Sequence, residues 1–156
     1  MDALVPRWVR IGLVALLAAP QLLIGLWAMV APQTWFESFP GLGPALVAGE
    51  PPFNRHLATD VGAGFFAVGI GVLLAAYWGT SRTVKLSLAV LVTFTAPHVV
   101  YHATHPAPGL SSVADVANVA VLASGIGWAA LLWWGSNRTP ERIAGRQDRP
   151  SAHAMS

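Results

Sequence analysis

Four long apolar stretches, separated by short polar or proline-rich segments, dominate the pattern of the chain. They run from about Trp8 to Val30, His56 to Trp78, Val84 to Ala103 and Val113 to Trp134. Each reaches the roughly 20 residues needed to cross a bilayer core. Apolar residues occupy every face at helical periodicity, unlike the single stripe of a surface helix in a water-soluble domain. The ten-residue alternation of barrel strands does not occur. The pattern predicts an all-α, integral membrane, up-down four-helix bundle over residues 1–134. An outer loop spans 31–55, and a polar tail, expected to be disordered, covers 135–156.

Composition sharpens this. Of 156 residues, 54% are apolar and only 10% charged, with a mean hydropathy of +0.56. A soluble domain carries about a quarter charged residues, which argues against an ordinary cytosolic enzyme or a nucleic-acid binder. The absence of cysteine removes disulfides, thiolate metal ligands and cysteine nucleophiles.

The basic balance, with a pI near 9.7, first suggests nucleic acid. The positions of the charges say otherwise. Arg7, Arg10, Arg82, Lys85, Arg138, Arg142, Arg146 and Arg149 fall at one end of the predicted bundle, eight of the nine basic residues. Arg55 alone falls at the other. The positive-inside rule puts both termini in the cytoplasm, and the basic cluster is expected to meet lipid headgroups rather than nucleic acid. Trp8, Trp78, Trp133 and Trp134 mark the same interface. A signal-peptide reading of Met1 to about Ala31 fits less well, because the apolar run is long and Pro32 would follow the cut. Retention is expected.

The outer loop carries Trp35, Phe36, Phe39 and Phe53 among five prolines at 32, 40, 44, 51 and 52. Thr34 and Glu37 have capping-box spacing, which predicts a short interfacial helix from Trp35 that anchors the loop or acts as a lid.

The candidate chemistry sits at the end opposite the basic cluster. His56 and Asp60 are spaced i, i+4 at the start of the second span. His98, His102 and His105 close the third span and fall within an arc of about 60° on an ideal helix. Asp115 and Asn118 open the fourth. Up-down topology gathers four of the five histidines and two of the seven acids at one end. Ionisable groups in membrane helices cost several kcal/mol unless paired, hydrated or metal-bound.

Imidazole and carboxylate donors suit Zn, Cu, Fe, Mn or Ni. Expected ligands of a divalent transition metal are His56, Asp60, His98, His102, His105 and Asp115. Asn54, Arg55, Tyr101 and Asn118 are expected to support them from behind. Haem held between His56 and His98 or His102 is a less favoured cofactor. Three functional readings stay open: a metal-dependent oxidoreductase or hydrolase acting on a lipophilic small molecule, a metal-free proton relay or transport module, and an accessory subunit docking another membrane protein or a second copy. No nucleophile or general base independent of the metal narrows the reaction.

Pro97 predicts a kink in the third span, with Thr93 and Thr95 satisfying the freed carbonyls. Pro20-Gln21 predicts another in the first. Gly62, Gly64, Gly69, Gly71, Gly125 and Gly127 are expected to permit close helix approach.

The runs Trp35-Phe36-Glu37-Ser38-Phe39-Pro40-Gly41 and Pro51-Pro52-Phe53-Asn54-Arg55-His56, with Asp60-Val61-Gly62, Pro97-His98 and His102/His105, resemble a group of small four-helix membrane proteins of actinobacteria. That group is loosely similar to the DoxX-like superfamily. The resemblance covers most of residues 20 to 120 and implies a bacterial inner membrane. DoxX-like proteins are linked in general to oxidoreductase or redox-accessory roles, and no catalytic residue assignment comes with the resemblance.

Overall fold

The computed structural model describes residues 3–138. Four 24-residue helices long and apolar enough to span a membrane make up the protein: α1 (Arg7–Val30), α3 (Arg55–Trp78), α4 (Ser81–Thr104) and α5 (Ser112–Gly135). A short α2 (Pro32–Ser38) lies in the first loop. This is an all-α, multi-pass membrane protein whose spans match the expected ones within three residues. Most of the expected tail, residues 139–156, lies outside the described residues; Ser136 to Arg138 still fold back on α5, and Arg138 covers the Trp134 ring at 3.5 Å.

Helix is the form these segments take because a lipid-facing backbone must satisfy its own hydrogen bonds. Polar residues set the starts. The side chains of Asn54, Thr80 and Ser111 accept from the amides of Leu57, Thr83 and Ala114 at 3.0, 3.2 and 3.3 Å. Gly79 ends α3 at φ +66°, a left-handed conformation that glycine adopts without steric cost.

Proline shapes α1 differently from a simple kink. Pro20 has no N–H to offer the Leu16 carbonyl, and its ring crowds the preceding turn. The turns before it widen into a π-helical segment, Leu13–Ala18, and α-geometry resumes at Ala19. Pro97, by contrast, lies within an uninterrupted α4.

At the end that carries Arg7, Arg10, Arg82, Lys85 and Arg138, here the basic end, the spans close on an aliphatic core. Val9, Leu13 and Leu17 of α1 meet Val72, Ala76, Val84, Leu88, Leu91, Ala129 and Leu132, all 4% exposed or less. Polar bonds tie the segments there. The Arg10 guanidinium donates to the Ala76 and Tyr77 carbonyls at 2.8 and 3.1 Å. The Ser81 hydroxyl donates to Ser136 O at 2.9 Å, and the Ser81 amide to Ala3 O at 3.0 Å.

Along the membrane, α1 and α3 pack backbone to backbone. A Cβ at Gly25 would stand 2.5 Å from the Phe66 nitrogen, and one at Gly62 would stand 2.9 Å from the Gly25 oxygen. Gly69 receives Leu22, and Gly64 receives the Phe94 ring. The expected close-approach role therefore holds at Gly62, Gly64 and Gly69. At Gly71, Gly125 and Gly127 an added Cβ would meet nothing within 4 Å, so these face away from the bundle.

The first loop packs rather than floats. Trp35 is 7% exposed against Ala28 and Ala58, with Phe36, Phe39 and Phe53 half-buried around it. The predicted start of its helix is corrected. α2 begins at Pro32, not Trp35, because proline at the first helical position is pre-set for the turn. Thr34 does not cap it: its hydroxyl donates to Ala31 O and accepts from the Trp27 indole, while Glu37 accepts from Gln33.

Candidate functional site

The opposite, polar end is where the expected residues fall, and they form pairs. On α3, His56 Nε2 and Asp60 Oδ2 are 3.3 Å apart. The two side chains are 88% and 61% exposed, so the contact is a surface one of small energetic weight. Asp60 thus meets His56, its i, i+4 neighbour on the same helix face. His56 pairs with this acid rather than facing His98 or His102.

On α4, the rings of His98 and His102 meet edge to face with centroids 4.8 Å apart, and both residues are half-buried. One helical turn separates them, so successive turns present both imidazoles on one face. Behind His98 stand Phe65 of α3, 6.1 Å away edge-on, and Phe94, which packs against Phe65 at 5.1 Å. This aromatic wall sets His98 against α3, while the His102 ring meets His98 and Tyr101 of its own helix.

His105 leaves the predicted arc. The helix ends at Thr104, and His105 adopts φ −130° and ψ 83°. Pro106 follows, and the residue before proline is pushed out of helical geometry. The ring then stacks flat on Tyr101 at 4.6 Å, with Nδ1 3.0 Å from the Thr104 hydroxyl. Asp115 is engaged elsewhere as well: its Oδ1 accepts the Ala107 amide at 3.2 Å and pins the α4–α5 loop. That loop in turn joins the first, through Gly109 N to Gly49 O at 3.1 Å.

Asn54 acts as the cap of α3. Asn54→Ala should lower thermal stability by about 0.5–2 kcal/mol, the range for a lost cap, while leaving any metal content unchanged. A variant that loses metal at full stability would return Asn54 to the supporting role expected of it. Asn118 is half-buried one turn beyond Asp115. Among the described residues, no three His, Asp or Glu side chains stand close enough to share an ion.

Interior residues that sequence reasoning weighed lightly stand out. The side-chain oxygens of Gln21 and Thr95 are buried without hydrogen-bond partners, as are Glu50 Oε1 and Trp35 Nε1 beneath the loop. Thr95 does not serve a carbonyl as expected. An apolar groove of about 520 Å³ between α4 and α5, near Leu88, Thr93, Ile126 and Trp133, holds neither histidine nor acid. No protein-family model, curated protein or solved structure matches the chain.

Proposed function

We propose that the protein is a membrane metal-binding protein whose ion is held at the polar end by His98 and His102. The observation that carries this reading is the 4.8 Å separation of two half-buried imidazoles on successive turns of α4. Paired histidines at i, i+4 form a two-point chelate on one helix face, and nitrogen ligands at about 2.0–2.1 Å from zinc lie within the reach of such rings. Two protein donors leave coordination positions for water or a substrate, which is the arrangement a Lewis-acid or redox centre requires. Zn, Cu, Fe, Mn and Ni all accept this donor set.

The aliphatic core at the basic end supports a site worked from one face of the membrane rather than a conduit through it. The charge asymmetry supports a cytoplasmic basic end by the positive-inside rule, and this reading takes the membrane to be a bacterial plasma membrane with the histidine pair on its outer side.

Elemental analysis of detergent-purified protein, expressed with metal supplementation, tests the reading. Wild type and His56→Ala should carry stoichiometric transition metal, and the His98→Ala, His102→Ala double variant should carry none. Metal-free wild type, or a double variant that keeps its metal, would sink it.

A further inference from the structure

The groove between α4 and α5 lies apart from the polar end, and its walls and its charges belong together. Leu88, Ala89 and Val92 of α4 face Ile126, Ala130 and Trp133 of α5 around a volume of about 520 Å³. That falls within the range of about 300–1,000 Å³ for ligand pockets. The Thr93 hydroxyl on the α4 wall already donates to the Ala89 carbonyl at 2.9 Å. The walls therefore offer mainly hydrocarbon contact. Ala89, Ala130 and Trp133 are exposed, and α5 is the least enclosed span, with 11% of its most apolar 18 residues buried against 28% for α1 and α3. The groove thus opens outward, toward lipid chains.

Positive charge stands at one end of it. Lys85 precedes Leu88 by three residues and Ala89 by four, so it lies on the same face of α4. Its ammonium sits over the Trp133 ring, 5.9 Å from the centroid. Trp133 itself lines the groove, so the cation is held at the groove's mouth. Arg82, exposed and three residues earlier, continues that face toward water. By contrast, Arg10 is engaged with the Ala76 and Tyr77 carbonyls, and Arg138 with the Trp134 ring. The acids among the described residues, Glu37, Glu50, Asp60 and Asp115, all stand at the polar end. Among the described residues, no carboxylate neutralises Lys85 or Arg82.

We infer that the groove binds an anionic phospholipid of the basic-end leaflet, with one acyl chain between α4 and α5 and its phosphate on Lys85 and Arg82. The site has two parts, and each selects a part of the ligand. Free phosphate would gain the charges without the apolar walls, and a neutral lipid would gain the walls without the charges. A zwitterionic head brings its own cation beside Lys85 and Arg82, which offsets the attraction of its phosphate. A net negative head brings none. The dimensions agree as well. From Lys85 to Thr93 the groove face advances about 12 Å, close to the roughly 15 Å of hydrocarbon in one leaflet.

The test uses full-length protein in detergent, titrated with phosphatidylglycerol or phosphatidylcholine of matched chains. Bound lipid is counted by native mass spectrometry. Phosphatidylglycerol should bind several-fold more tightly, and millimolar inorganic phosphate should not displace it. Lys85→Gln and Arg82→Gln should each weaken phosphatidylglycerol about fivefold, the value of one basic residue near a membrane surface. Neither should change phosphatidylcholine binding. Ala130→Trp fills the groove from an exposed position and should weaken both lipids. Val90→Trp, at a position 52% exposed that does not line the groove, should weaken neither. Thermal midpoints of these variants should stay near wild type, since none of the positions belongs to the buried core. Equal affinity for the two lipids, displacement by phosphate, or undiminished phosphatidylglycerol binding by the folded Lys85→Gln or Ala130→Trp variant would overturn the inference.

Discussion

Gly25→Val and Gly62→Val are expected to cause the largest loss of stability of any single changes in the spans. At both positions the obstacle is backbone. The Phe66 nitrogen and Gly62 oxygen lie 2.5 and 2.7 Å from where a Gly25 Cβ would sit, and Gly62 would meet the Gly25 oxygen and Met29 nitrogen, both at 2.9 Å. A flexible side chain could rotate away; a helix backbone can yield only if the whole of α1 moves from α3. Overpacking typically costs about 1–3 kcal/mol, and the upper end applies where backbone opposes backbone. Helix association in lipid depends on such close packing because lipid chains are as apolar as the residues they would replace. Gly125→Val and Gly127→Val supply the contrast, since an added Cβ there meets nothing within 4 Å. Their thermal midpoints in detergent should stay near wild type. Equal losses at all four positions would refute the assigned α1–α3 contact.

The sequence made the spans legible because membrane crossing imposes a length and a composition, and both can be counted. Helical periodicity likewise placed His98 and His102 on one face, and His56 beside Asp60. Other features depended on facts that periodicity does not carry. His105 shares the ideal arc only while the helix continues, and Pro106 ends it. Asp115 and Asn54 could serve an ion or a backbone amide, and helix-start geometry engages both with amides. How far α3 turns about its own axis decides whether Asp60 approaches α4, and the glycine face of α3 committed to α1 sets that rotation.

A pair of leucines about 3 Å apart along the axis of α4 tests the core that seals the basic end. Leu88 is 1% exposed within that core, whereas Leu86, on the same helix, is 67% exposed toward lipid. In a water-soluble protein a buried Leu→Ala change costs roughly 2–5 kcal/mol, from lost transfer energy plus the cavity left behind. The transfer part largely vanishes here, since the alternative surroundings of the side chain are lipid. What remains is the cavity and its lost dispersion contacts, so Leu88→Ala should cost about 1–3 kcal/mol. Leu86→Ala should cost almost nothing, because lipid chains fill the space. The measurement is thermal or denaturant unfolding of the purified protein in detergent, with metal content followed in parallel. Leu88→Ala should lower the midpoint yet leave metal content unchanged below it, as the cavity opens at the end of the bundle away from His98 and His102. Equal costs at the two positions would mean that Leu88 faces lipid, and that the basic end is not closed as described.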